Sequence, residues 1–308
     1  MTGPLGVGPG DTVALVAPAG PVPPDGLARA HRLMDRWGLR VVRGSSRQGT
    51  TFRARPPHLA GTDAQRSAEF NRAWADPEVR AVLCLRGGYG SQRIVDDIAW
   101  ECGRKLLVGF SDVTALHLGL WTATGLASLH GPGVGVGGAG PSPLAAESLR
   151  RAMAAFGTAG TVTATPVEPT FALRSGQGTA EGVLLGGNLA VLATSLLHTR
   201  SWAGTVLLLE DVDEPPYRVD RFLTFLGRLG VLGEVSAVVL GRFTGRGYTP
   251  DVVRRVLDVL HERLTRFGVP FLGGFPIGHG PDALTVPLGQ PAALDFATGT
   301  LTMAGGTG

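Results

Sequence analysis

Short apolar runs alternate with amphipathic stretches along the first half of this chain. Thr12 to Val16 is apolar and β-branched, and it ends in the turn Ala17-Pro18-Ala19-Gly20-Pro21. Leu27 to Trp37 carries helical spacing, and Leu39 to Val42 returns to strand character. Thr62-x-x-Gln65 is a capping box at the head of a helix that runs through Trp74 and stops at Asp76-Pro77. Ala81 to Leu85 is the next strand, and Arg86-Gly87-Gly88-Tyr89-Gly90 turns the chain into a helix over Gln92 to Ile98. A strand over 106–110 and a helix over 112–122 complete the series. Strands this continuously apolar, with helices between them, predict a parallel sheet covered on both faces. Ligands meet such sheets beyond the carboxyl ends of the strands, where Arg86-Gly87-Gly88 and Ser111 both fall.

The texture then changes. Gly131 to Pro143 is rich in Gly and Pro, a helix follows over Leu144 to Phe156, and Thr158 to Gly178 is polar and irregular. Beyond it, strands are expected near Gly182–Leu185, Val206–Leu209 and Val235–Leu240, with helices near Asn188–Leu197, Arg218–Leu229 and Asp251–Phe267. The expected organisation is therefore an N-terminal domain over 1–157, a linker over 158–178 and a C-terminal domain over 179–308.

Composition narrows the class. A hydrophobic fraction of 44% over 308 residues supplies real cores, and a net charge of +3 with scattered arginines gives no nucleic-acid footprint. Lys105 is the only lysine. Cys84 and Cys102 are too few for a disulfide framework and lack a C-x-x-C spacing. The N-terminus has no signal-peptide pattern, and no apolar run is long enough to span a bilayer. These features lead us to expect a cytoplasmic protein that binds neither nucleic acid nor membrane.

Three segments carry candidate chemistry. Gly109-Phe110-Ser111-Asp112-Val113 reads as strand, tight turn and helix start, which suits either a nucleophile beside helix N–H groups or a plain helix N-cap. It partly matches the nucleophile elbow G-x-S-x-G, with Val113 in place of the last glycine. Glu210 ends an apolar strand and opens the acidic turn Glu210-Asp211-Val212-Asp213-Glu214. That turn is a seat for a carboxylate that orients an imidazole, a solvated turn, or a hard-cation site without the EF-hand pattern. His279 stands between two glycines on a sharp loop, as a general base or an exposed loop histidine. His117 shares a helix stripe with Val113 and Leu120 and reads as packing, while His130 ends an apolar strand. Gly135-Val136-Gly137-Gly138-Ala139-Gly140 formally matches G-x-G-x-x-G, without the acidic residue that a dinucleotide site needs about 20 residues on.

Taken in order, several further segments resemble the LD-carboxypeptidase family of serine peptidases, which includes the microcin C immunity hydrolases. They are Ala17–Pro21, Leu59-Ala60-Gly61-Thr62-Asp63, Cys84–Gly90, Gly109–His117, His130-Gly131-Pro132, Gly186-Gly187-Asn188-Leu189, Leu209–Glu214, Tyr217–Arg221, Gly278-His279-Gly280 and Thr285–Gly289. The resemblance spans nearly the whole chain. It implies an α/β fold with a flavodoxin-like parallel-sheet N-terminal domain and a smaller C-terminal domain with a β-barrel-like core. It implies a catalytic triad of Ser111, Glu210 and His279, and an oxyanion hole from the backbone N–H groups of Gly88 and Asp112. Arg86 and Gly87 are candidate substrate contacts. It further implies a homodimer that needs no metal or organic cofactor and acts on a small peptide or muropeptide. The expected reaction is hydrolysis between an L-centre and a terminal D-amino acid. A microcin-C-type aminoacyl-nucleotide amide is the alternative substrate, and a catalytically silent binding module is a third reading. His198 stands where the resemblance leads one to expect glycine.

Overall fold

The computed structural model describes residues 6–42, 58–136, 140–195 and 201–304. In chain order the elements of the first half are β1 (Thr12–Val16), α1 (Pro24–Arg36), β2 (Arg40–Val41), α2 (Asp63–Ala75), β3 (Ala81–Cys84), β4 (Leu106–Gly109), α3 (Thr114–Thr124), β5 (Ser128–His130) and α4 (Pro143–Ala154). The second half adds β6 (Gly160–Thr163), β7 (Arg174–Ser175), β8 (Thr179–Asn188), α5 (Leu189–Ser195), β9 (Thr205–Val212), α6 (Pro216–Arg228), α7 (Val231–Glu234), β10 (Ala237–Thr244) and α8 (Pro250–Arg266). It closes with β11 (Phe271–Gly273), β12 (Val286–Leu288), β13 (Pro291–Asp295) and β14 (Thr300–Met303). None of the helices among the described residues is long and apolar enough to cross a membrane.

Two compact units result. One takes Met1–Gly157 with Leu284–Pro287 and Thr307–Gly308, and the other takes Thr158–Ala283 with Leu288–Gly306. In the first unit the sheet order is β12-β5-β4-β3-β1-β2, with β1 to β5 all paired in parallel. The order 2-1-3-4-5 is that of flavodoxin-like folds, whose ligand crevice opens at the switch point between β1 and β3. Alternation within β1 divides the core. Val13 and Leu15 pack with Leu33 and Met34 of α1 and Leu149 and Met153 of α4. Ala14 and Val16 pack on the opposite face with Phe70 and Trp74 of α2 and Leu116 and Leu120 of α3. The expected capping box is present: Thr62 accepts from Gln65 N, and Gln65 returns the bond to Thr62 N.

The helix expected over Gln92 to Ile98 is absent; the chain makes short 3₁₀ turns at Ser91–Arg93, Val95–Asp97 and Trp100–Cys102. Ile94, Val95, Ile98 and Trp100 all pack into the core, and none of the three turns has a side-chain cap. Packing of β-branched residues outweighs helix propensity here.

The second unit carries an eight-stranded sheet in the order β6-β14-β13-β8-β9-β10-β11-β7. Its centre, β8 to β11, is parallel, and antiparallel strands flank it on both sides. The pairing order has two ends, β6 and β7, and the expected barrel-like core rests on the resemblance alone. The segment 158–178, expected to be a linker, instead supplies both of those edge strands and the turn Pro169–Ala172. Its polar residues follow from edge position: Gly160, Thr161 and Thr163 of β6 are exposed.

Candidate active site

Ser111 follows β4 at the carboxyl end of the first sheet and opens a 3₁₀ turn, Ser111–Val113, that leads into α3. Its φ of 63° is left-handed, an uncommon value for a residue with a side chain. Ser111 caps neither the turn nor α3 through its side chain. The N-cap reading therefore does not describe it. Ser111 is instead a left-handed residue on the tight turn between the strand end and α3. Val113 fits the last elbow position because Gly109 has no side chain: a Cβ there would lie 2.7 Å from Val113 Cγ1.

The loop after β3 presses against this turn. A Cβ on Gly87 would lie 2.8 Å from Ser111 Cβ and 3.0 Å from Asp112 N, so only glycine permits the approach. The two segments are also bonded together, since Ser91 N donates to Asp112 Oδ2 at 2.7 Å. Gly88 follows with φ 115°. The half-buried Arg86 guanidinium donates to Pro21 O at 3.1 Å and to Gly87 O at 3.3 Å. Burial holds its pKa below the usual arginine value. Arg86 thus braces the loops after β1 and β3 while keeping a cation beside the Gly87-Gly88 backbone.

Glu210 lies in β9 and is fully buried. Its Oε2 accepts from His279 Nδ1 at 2.7 Å and from His279 N at 3.1 Å. Nδ1 therefore carries the proton, and Nε2 is left as the basic nitrogen. Gly278 is required by the same contact, since a Cβ there would lie 2.4 Å from Glu210 Oε2. Burial works to lower the His279 pKa. The charge and hydrogen bond of Glu210, with the charges of Asp211 and Asp213, outweigh it and raise the pKa above the ordinary value. Asp211 points away from this pair, accepting from Asn188 Nδ2 at 2.7 Å and from Ala190 N at 3.0 Å. Burial first, and then the Glu210 charge, push its carboxyl up to about 7.

The predicted residues thus fall into two groups. Arg86, Gly87, Gly88, Ser111 and Asp112 share the carboxyl-end loops of the first unit, and Glu210 and His279 share the second. His117 does more than pack: its Nε2 bonds Gly109 O at 2.9 Å, and its Nδ1 bonds Ser128 Oγ at 2.8 Å. Gly137, Gly138 and Ala139 of the G-x-G-x-x-G match, and His198, lie outside the described residues. The described part of that glycine-rich loop packs on Leu85, just after β3: Gly135 N donates to Leu85 O at 2.7 Å, and a Cβ on Gly135 would lie 2.8 Å from Leu85 Cδ2. Among the described residues, no group of three His, Cys, Asp or Glu side chains is placed to hold a metal ion. Sequence reading gives no role to Glu168 and Arg242, and it sets Asp211 in an acidic turn where the structure continues β9. The signal for Asp211 was available, because two adjacent carboxylates inside an otherwise apolar strand demand partners.

Residues 13–131 match the LD-carboxypeptidase N-terminal domain, and residues 181–294 match the LD-carboxypeptidase C-terminal domain. A Streptomyces coelicolor protein, itself named only provisionally as a carboxypeptidase, is 43% identical over 97% of this chain and 95% of its own. The murein tetrapeptide carboxypeptidase of Pseudomonas aeruginosa is 32% identical over 92% of each chain. Among solved structures, the microcin C7 self-immunity protein MccF, an Escherichia coli protein, superposes with a TM-score of 0.83 at 26% identity, covering 99% of both chains. The chain belongs to the LD-carboxypeptidase family and is an enzyme of the serine carboxypeptidase class.

Proposed function

We propose that this enzyme removes a terminal D-amino acid from peptidoglycan-derived peptides by cleaving its amide bond to the preceding L-centre. The observation that carries the reading is the His279 Nδ1–Glu210 contact of 2.7 Å, which holds the imidazole in the tautomer of a general base. His279 Nε2 takes the proton of Ser111 Oγ as that oxygen attacks the amide carbonyl. The oxyanion is bound by the N–H groups of Gly88 and Asp112, on loops fixed in advance by the Ser91–Asp112 bond. His279 then gives its proton to the leaving amine, which departs with the D-residue. Water, deprotonated by the same nitrogen, attacks the acyl-Ser111 ester and releases the shortened peptide. Arg86, beside the Gly87-Gly88 backbone, supplies a cation to attract the terminal carboxylate, and Gly87 lets that loop lie against the Ser111 turn. We place the reaction in the cytoplasm, and the enzyme in a homodimer as the resemblance implies. Tyr217 and Phe225 of α6 and Leu229 just after it are exposed apolar side chains, which supports the dimer reading.

The test is mass spectrometry of products from a muropeptide tetrapeptide, with chelator present, for the wild type and Ser111→Ala. Release of D-alanine by the wild type, reduced about 10⁴-fold or more in Ser111→Ala, is the expected result. Equal activity in the variant sinks the triad. The likeness to MccF, also solved with aspartyl sulfamoyl adenosine, favours one second reading: hydrolysis of an aminoacyl-nucleotide amide. Processed microcin C in a parallel reaction separates the two, since cleavage of that compound alone selects the second.

A further inference from the structure

The His279 loop, 277–281, makes no sheet ladder of its own beyond β11, and β10 satisfies its backbone instead. Between Leu240 and Phe243 the register of β10 against β9 shifts by one residue, a bulge that turns Arg242 out of the ladder. From there Arg242 N donates to Ile277 O at 2.8 Å, and Arg242 Nη1 donates to Pro281 O. Thr244 Oγ1 donates to His279 O at 3.1 Å. Three alternate carbonyls of the loop are thus held by two residues of one strand. The Arg242 guanidinium is itself fixed by Glu168: Nε lies 3.0 Å from both carboxylate oxygens and Nη2 lies 2.6 Å from Oε1. Both side chains are largely buried, at 12% and 7% exposure. Next to Glu168, Thr170 Oγ1 accepts from Gly274 N and donates to Gly241 O at 3.1 Å, tying the same turn to the bulge. Gly280 completes the fit, because a Cβ there would lie 2.8 Å from Arg242 Nη1.

We infer that Glu168 and Arg242 are positioning residues for catalysis, an ion-paired clamp that sets where the His279 imidazole stands through the carbonyls of its own loop. Neither touches the imidazole; both act through the backbone on either side of it. A pair buried merely for stability is replaceable by apolar residues at little cost, whereas a clamp is not. The inference rests on the proposed role of His279 as base, so its test carries one readout that needs no substrate.

The experiment compares the wild type with Glu168→Leu/Arg242→Met. Thermal unfolding checks the fold, kcat and KM are measured on the tetrapeptide, and NMR follows the His279 Nδ1–H proton, assigned by its absence in His279→Asn. The double variant is expected to stay folded and to lose about 10- to 100-fold in kcat with KM nearly unchanged. Its Nδ1–H signal is expected to broaden as the imidazole loses a single position. A folded double variant with wild-type kcat and an unaltered signal overturns the inference. Should the double variant fail to fold, Arg242→Lys decides: it keeps the charge beside Glu168 but loses the guanidinium fork that spans Glu168 and Pro281 O, and unchanged kcat and signal in it overturn the clamp. Absence of turnover in the wild type counts against the proposed function, while the NMR arm still reads the clamp.

Discussion

A φ of 63° at Ser111 costs about 1–2 kcal/mol for a residue with a Cβ. Ser111→Gly relieves that strain, at the expense of a more flexible unfolded chain, and the net gain in stability is expected to be about 0.5–1 kcal/mol. Ser111→Ala keeps the strained backbone. Denaturant midpoints should therefore rank glycine above alanine while both variants are inactive; the reverse order contradicts a strained elbow. His279 gives a second expectation at this scale. Its folded pKa lies above 6.5, so its favourable pairing with Glu210 is fully present below that value and fades as pH rises through the folded pKa. As the proposed general base His279 must be neutral to act, so the expected pH dependence of catalysis has the opposite sign. The acidic limb of kcat/KM should accordingly fall above pH 6.5, and Glu210→Gln should move it down while lowering kcat about 10³- to 10⁴-fold. A limb at or below the ordinary histidine value in the wild type refutes this electrostatic account.

Elements set the distances within each unit. Gly87 lets the loop after β3 lie against the elbow after β4, and Gly87→Ala must push the two apart, because the new Cβ would stand 3.1 Å from Phe110 O as well as 2.8 Å from Ser111 Cβ. The core below is untouched, so the expected signature is a fall in kcat of about 100-fold with only a small change in melting temperature. Parallel losses of stability and activity would instead make Gly87 a folding residue. Much of this arrangement was legible in the sequence. β1, the α2 capping box and the strand–elbow–helix around Ser111 are local, and each has a period or a cap that names it. The His117 bonds to Gly109 and Ser128 are less so: on the α3 helix wheel His117 falls in an apolar stripe, and burial, followed by the charge of His130, pushes its pKa down to about 3, leaving a neutral ring that looks like packing. Glu168 and Arg242 were not legible at all. They lie 74 residues apart, one on an edge segment that reads as a linker and the other at a bulge, and no periodic pattern joins them.

The chain's course through its two units departs furthest from the sequence-based division at residues 157 and 179. After building most of the second unit, it returns through Leu284–Pro287 to the first, where β12 lies beside β5 at the edge of the sheet. Thr285 anchors that return: its N–H donates to Ser148 Oγ at 2.9 Å, and its side chain fills the space that a Cβ on Gly131 would take, 2.6 Å from Thr285 Oγ1. Val286 and Leu288 are buried there. A fragment ending at residue 157 therefore lacks a strand of its own sheet. Its β5 is left as an unprotected edge, and the apolar surface that β12 covers is exposed. We expect fragment 1–157 to express as an aggregation-prone species that binds hydrophobic dye. Joining residues 283–289 to its end through a flexible linker should recover a monomeric, cooperatively melting form. Size exclusion and thermal melting of the two fragments make the comparison. A fragment 1–157 that is monomeric and melts as sharply as the extended one would mean that β12 is an accessory. In that case the returning segment contributes little to the sheet that carries Ser111.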